Sequence, residues 1–204
     1  MKNLLVAGLV LAVLALVASP LSAQGKMALG IGGDVLLPMG DFKDAVSTGF
    51  GGSARFQYEV APMFAVGATT GYFTWGAKDI TSHGITVTGA SFKGIPVRVF
   101  GKYYFMPEGP ARIYGIAELG MFFGSAGDVT IPAVVVGGVT VRPAQTVSGE
   151  SQTKFNYAPG LGVEIPIGTG KTTMDISARY DAIATDPSAN NVAVRVGVNF
   201  PIGQ

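Results

Sequence analysis

NVAVRVGVNF, residues 191–200, sorts its side chains into two sets without exception. Val192, Val194, Val196, Val198 and Phe200 fall on one face; Ala193, Arg195, Gly197 and Asn199 fall on the other. A period of two is that of an extended strand, and a helix would mix the two sets around its circumference.

The same division recurs upstream. MDISARYD sets Met174, Ile176, Ala178 and Tyr180 against Asp175, Ser177, Arg179 and Asp181. FNYAPGLGVEI sets Phe155, Tyr157, Leu161, Val163 and Ile165 against Asn156, Ala158, Gly160, Gly162 and Glu164. ARFQYEV (54–60) divides Ala54, Phe56, Tyr58 and Val60 from Arg55, Gln57 and Glu59. IPVRVFGKYYF (95–105) divides Ile95, Val97, Val99, Gly101, Tyr103 and Phe105 from Pro96, Arg98, Phe100, Lys102 and Tyr104. RIYGIAELGMFF (112–123) carries Glu118 on its polar parity, and residues 27–37 and 63–75 alternate more weakly, with glycine and alanine inward. Eight strands are predicted.

Alternation alone fits either a soluble sandwich or a barrel whose apolar face meets lipid. Three features favour the barrel. The charged face mixes single charges with Gly, Ala and Ser, as a narrow lumen requires. The apolar face ends in aromatic residues suited to membrane boundaries: Tyr103 and Phe105, Phe155 and Tyr157, Tyr180, and Phe200. Connections at 60–63, 106–110 and 168–170 read as short turns, and those at 38–49, 77–90, 127–151 and 182–190 as longer loops. An Arg or Lys on the lipid face at mid-membrane costs about 2–4 kcal/mol. Arg55, Arg98, Lys102, Arg179 and Arg195 all share the polar parity, so slipping any of their strands by one residue would drive a charge into lipid.

The amino-terminal residues agree with export. Lys2 precedes LLVAGLVLAVLALVA (4–18), an uncharged run of signal-peptide length, and SPLSA ends in small residues at Ala23. A cleaved signal over 1–23 is expected, leaving a barrel domain over 24–204. With Lys2 gone, the 14 basic side chains fall to thirteen, matching the 13 acidic ones. That balance argues against a nucleic-acid partner. The chain has no cysteine, 48% hydrophobic and 13% charged residues, and 30 glycines.

Gly170-Lys171-Thr172 resembles the end of a phosphate-binding loop. Such a loop needs a glycine five residues before its Gly-Lys pair, where this chain has Ile165, and a helix afterwards, where TTMDISARYD alternates. The reading is a hairpin with Thr169-Gly170 at its tip and Lys171 opening the next strand; no nucleotide is expected. His83, the single histidine, lies in one loop with Asp79 and Ser82 and reads as a solvated side chain. No catalytic residue, metal site or cofactor is expected.

By parity the lumen receives Asp34, Arg55, Glu59, Arg98, Lys102, Arg112, Glu118, Glu164, Asp175, Arg179, Asp181 and Arg195, six of each sign. Side chains fill an eight-stranded interior, so a paired network is expected to plug it. Closing the MPEGP hairpin with Phe105 opposite Ala111 sets Arg98 directly across from Glu118. The stretch AVVVGGVTV (133–141) reads as a hairpin around Gly137-Gly138. Two further barrel strands would make ten, but VTIPAVVV has no polar parity, and a hairpin above the membrane is preferred. Its apolar surface is either a partner-binding edge or packs against the barrel's own rim.

The order of signal, eight alternating strands and short turns resembles the small outer-membrane β-barrel families of the OmpX-like and OmpW-like kind. The last strand, RVGVNFPI (195–202), resembles a barrel-assembly recognition signal, with Arg195, Gly197, Phe200 and Ile202 in its positions, although the chain runs past its aromatic to Gln204. The resemblance implies an eight-stranded antiparallel up-and-down barrel in a bacterial outer membrane. It also implies lipid or lipopolysaccharide and the assembly machinery as partners. Such families include adhesion proteins, integrity factors and narrow hydrophobic channels. The leading expectation is a non-enzymatic, plugged barrel acting through extracellular loops on a surface partner. The alternative is a narrow channel for small solutes.

Overall fold

Each alternating segment forms one strand of a closed, eight-stranded antiparallel barrel in the computed structural model, which describes residues 26–82, 85–88, 90–131, 133–136, 139–186 and 188–202. The expected signal, residues 1–23, lies outside the described residues, as do His83 and Gly137-Gly138. The barrel strands are β1 (Met27–Met39), β2 (Val46–Ala61), β3 (Phe64–Ala77), β4 (Phe92–Tyr104), β5 (Arg112–Ala126), β6 (Ser151–Pro166), β7 (Thr173–Ile183) and β8 (Ala189–Ile202). Every strand pairs with its neighbours in sequence, and β8 closes onto β1.

The pairing fixes how the strands tilt. Stepping from Leu29 through Phe56, Ala68, Val99, Leu119, Tyr157, Ala182 and Asn190 returns to β1 at Met39, ten residues further on. That stagger is the shear which closure of tilted strands demands, and it leaves an interior only wide enough for side chains.

The inside-out partition follows the sequence parity. Arg55, Arg98, Lys102, Arg179 and Arg195 are buried inside, while Ile31, Val97, Val99, Leu119 and Leu161 are exposed on the outer wall. Exposed aromatics ring both ends of that wall: Phe64, Tyr103, Phe105 and Phe200 towards one, Phe50, Tyr72, Phe123, Phe155, Tyr157 and Tyr180 towards the other.

The ends differ from expectation in detail. At the turn end, β2 and β3 are joined through 62–63, β4 and β5 through 105–111, and β6 and β7 through 167–172. Lys171 therefore belongs to the turn, not to the next strand, and the positive φ sits at Gly168 (69°), not at Thr169-Gly170. At the loop end the expected loops 38–49 and 182–190 are shorter, since strand takes both ends of each. β1 and β2 leave only 40–45 between them, much of it a one-turn helix α1 (Phe42–Ala45), and β7 and β8 leave only 184–188. Two long loops remain. Asp79–Ser82 pairs with Ile85–Thr88, and Val129–Ile131 with Gln145–Val147. Val134–Val136 pairs with Val139–Arg142, so the 127–150 segment is a hairpin beyond the barrel, not a ninth and tenth strand. The Ile85–Thr88 strand lies against Val129–Ile131, which joins the two hairpins above the rim.

Candidate functional site: the barrel interior

The interior is a stack of two unlike layers. Its lower part, from the turn end to mid-barrel, holds all twelve charges that the parity directs inward, linked by ion pairs into one network.

The network begins at the turn end, where the partly buried Arg112 donates to Glu59 (2.7 Å) and Glu164 (2.5 Å). Lys102, fully buried, donates to Glu164 (2.7 Å) and Asp175 (3.1 Å), and Tyr104 also donates to Glu164. Asp175 further accepts from Arg195 (2.9 Å), Arg55 (3.4 Å) and the Tyr114 hydroxyl (2.8 Å). Asp175 is thus one hub and Glu118 a second: Arg55 (2.7 Å), Arg179 (2.9 Å) and Arg98 (3.0 Å) all donate to the Glu118 carboxylate. Arg179 continues to Asp34 (2.6 Å) and Arg98 to Asp181 (2.7 Å). Ser53 donates to Asp34 and accepts from Arg195, closing a loop within the network.

Neighbouring aromatics support the cations. The Lys102 ammonium lies 4.2 Å from the Tyr114 ring centre, and the Arg112 guanidinium 4.4 Å from that of Tyr104. Desolvating a charge is expensive, so such a layer holds together only when nearly every carboxylate finds a cation. Here each of the six does.

The Arg98–Glu118 contact is formed differently from the sequence expectation. Arg98 stands directly across from Gly120, and Glu118 across from Phe100. Phe105 bonds to Ile113 rather than facing Ala111, so the connection is two residues longer on its β5 side, which shifts the register by two and leaves every side chain on its own face. Arg98 reaches Glu118 diagonally; Gly120, opposite it, adds no side chain in the way.

Above the network the chemistry changes. Leu36, Val46, Phe73, Trp75, Phe122, Ile183, Ala189 and Ala193 form a buried apolar cluster, with Phe42 of α1 and Phe92 packed against it. Trp75 is its centre. Its ring meets Phe42 (5.8 Å), Phe73 (6.3 Å), Phe92 (5.5 Å) and Phe122 (6.1 Å), and its indole N–H donates to Asn191 (3.0 Å). Sequence reasoning passed over this cluster, although Phe73 and Trp75 share the inward parity of Ala65, Gly67 and Thr69.

At the opposite end the lumen opens into a cavity of about 230 Å³ lined by Lys26, Gln57, Glu59, Arg112, Glu164 and Lys171, among others. Gly170-Lys171-Thr172 lies in the hairpin at this mouth with a strand following it, so the helix N-terminus of a phosphate loop has no counterpart there. Among the described residues no three His, Asp or Glu side chains gather as a metal site would require.

The last strand places its four signal-like residues in two environments. Arg195 and Gly197 face inward, Phe200 faces outward, and Ile202 ends the strand opposite Met27.

The family described as "Outer membrane protein beta-barrel domain" matches residues 8–200. The chain belongs to that family. The barrel is thus an outer-membrane barrel, and in such barrels the short turns are periplasmic and the longer loops extracellular. No curated protein is detectably similar in sequence. Solved structures share the fold at low identity. OprG of Pseudomonas aeruginosa is 13% identical with a TM-score of 0.59, over 88% of this chain and 97% of that one. A major outer membrane protein of Thermus thermophilus is 14% identical, with a TM-score of 0.55, over 88% and 100% of the two chains. Ail, the attachment invasion locus protein of Yersinia pestis, is 14% identical with a TM-score of 0.50, over 87% and 97%.

Proposed function

We propose that this chain is a non-enzymatic outer-membrane barrel with a closed lumen, acting on its surroundings through its extracellular hairpins. The observation that carries the proposal is the stacking of two unlike layers in one narrow interior. A hydrated ion entering from the periplasmic mouth meets the paired charges around Glu118 and, beyond them, the aromatic cluster around Trp75. The first layer offers no unpaired carboxylate, and the second little polar surface beyond the Asn191 amide.

The outward-projecting hairpins support the second half of the reading. Val141 and Val147 are 66% and 56% exposed, and the run from Val141 to Thr153 is exposed almost throughout. Exposed β-rich strands with free edges suit a protein partner that adds a strand. Lipopolysaccharide around the wall and the barrel-assembly machinery, reading Arg195, Gly197, Phe200 and Ile202 on β8, complete the proposed partners.

The test is single-channel recording from the mature chain refolded in detergent and inserted into a planar bilayer, with heat-modifiable gel mobility as proof of folding. Folded protein that stays silent supports the closed lumen. Discrete steps would replace it with the narrow-channel reading.

A further inference from the structure

The barrel closes where no turn helps it. Each of the other seven strand pairs is held together by a connecting segment, whereas β8 and β1 meet from the two ends of the barrel domain. Face parity does not fix this seam either, because a slip of two residues keeps every side chain on its own face. The observed register sets Asp34 opposite Arg195 and Ile31 opposite Val198, and it needs another determinant.

Arg195 supplies one. Its fully buried side chain starts opposite Asp34, yet it does not pair there. Leaning towards the turn end, it crosses β1 and donates from Nε to the Ser53 hydroxyl of β2 (2.9 Å). Its Nη1 holds Asp175 of β7 (2.9 Å), so one side chain ties together four strands. Glycine makes the crossing possible. A Cβ on Gly32 would stand 2.9 Å from Cζ and Nε of Arg195, and one on Gly197 would stand 2.6 Å from Nη1. Ser53 pairs with Gly32, which sets its hydroxyl at the far edge of that gap.

Both slips that parity allows would spoil this fit. One would lay the guanidinium over Gly30 and against Arg55, the residue paired with Gly30. The other would put the Asp34 side chain where Gly32 leaves room, with Gly51 in place of the hydroxyl beyond it. We propose that Arg195 is the latch of barrel closure, selecting the register of the β8–β1 seam by reaching across Gly32 to Ser53. The proposal rests on reading β8 as an assembly signal and divides that signal's labour. Arg195 and Gly197 act from inside the barrel, and the outward Phe200 is left for the assembly machinery.

The test refolds the mature chain into lipid vesicles and reads the seam by cross-strand oxidation. The chain has no cysteine, so Ile31→Cys can be combined with Val198→Cys for the observed register, or with Val196→Cys or Phe200→Cys for the two slips. Opposed Cα atoms about 5 Å apart can be bridged, and those a slip away, beyond about 7 Å, cannot. With Arg195 in place, only the first combination should oxidise. Adding Arg195→Gln should slow the appearance of the folded gel band by about tenfold, the rate equivalent of one charge-assisted hydrogen bond, and move oxidation into a slipped combination. Ser53→Ala removes only the anchor on β2; it should act more weakly, and it carries the test should Arg195→Gln not fold. Glu118→Ala, equally buried but off the seam, should keep the observed register. Wild-type folding rate and register in both Arg195→Gln and Ser53→Ala overturn the latch, as does an equal slip in Glu118→Ala. Arg195→Gln that folds slowly only in vesicles carrying the assembly machinery also overturns it. The recognition reading fails separately: if the machinery accelerates Phe200→Ala as much as wild type, that reading falls and the latch stands.

Discussion

The two halves of the lumen are built by the same eight strands and are both largely buried, yet one is almost entirely ionic and the other almost entirely apolar. Around Glu118, burial is tolerated because each carboxylate meets cations supplied by strands far apart in sequence: β2, β4 and β7 all send an arginine to β5. Around Trp75, burial is driven as in a soluble core, by apolar area and aromatic edge contacts beneath the small cap of α1. The contrast teaches that a barrel in lipid does not simply invert the soluble rule. It inverts that rule where the outer wall is already committed to lipid, and restores it towards the rim, where Phe42 of α1 packs onto the cluster.

The largest expected effect would break the comparison at the ionic layer. Glu118→Ala leaves the guanidinium groups of Arg55, Arg98 and Arg179 without their shared acceptor. Removing one member of a buried pair typically costs about 3–5 kcal/mol, and a hub should sit at the upper end. Urea unfolding in micelles measures it. A loss below about 1 kcal/mol would mean that the arginines re-pair elsewhere and that the layer is held by number, not by geometry.

Next in size is the apolar layer. Trp75→Ala removes the ring that touches four others and leaves the Asn191 side-chain amide oxygen without its donor. Truncations of this kind cost about 3–5 kcal/mol in closed cores, and here the lower figure is expected because α1 can settle into the space. The same unfolding assay ranks it against Glu118→Ala. If Trp75→Ala proves the costlier, packing at the rim, and not the ion network, dominates the barrel's stability.

The two layers were also unequally legible. Charges announce their face: Arg55, Lys102, Asp175 and Arg179 cannot point at lipid, so strand parity alone locates them, and the closed eight-strand barrel follows. Aromatic residues announce nothing, since Phe73 and Phe122 inside are the same residue type as Phe123 and Phe155 in the girdle outside. Parity did place Phe73 and Trp75 inward, but only the register across β3, β4 and β5 shows that they converge. Distances along the chain were less readable than faces. A turn two residues longer than supposed moved Arg98 from opposite Glu118 to opposite Gly120, a shift that alternation cannot register because it preserves every face. The four residues of α1 are too few to leave a helical period, so their role as a cap came only from the packing of Phe42.

That cap supplies the smallest prediction and sharpens the comparison most finely. Phe42 is only half-buried, and its ring makes edge contacts with Trp75 (5.8 Å) and Phe92 (6.0 Å). Losing two such contacts should cost about 1–2 kcal/mol, well below either core truncation. Trp75 is the only tryptophan of the chain, so its fluorescence reports on this layer without labelling. Phe42→Ala should raise acrylamide quenching of Trp75 from the extracellular side while leaving the barrel folded by gel mobility. Glu118→Ala, deeper in the lumen, should leave that quenching near the wild-type value at temperatures where the barrel is intact. Equal quenching in wild type and Phe42→Ala would show that β-strand side chains alone keep Trp75 dry. In that case α1 merely rests on a layer that is already sealed.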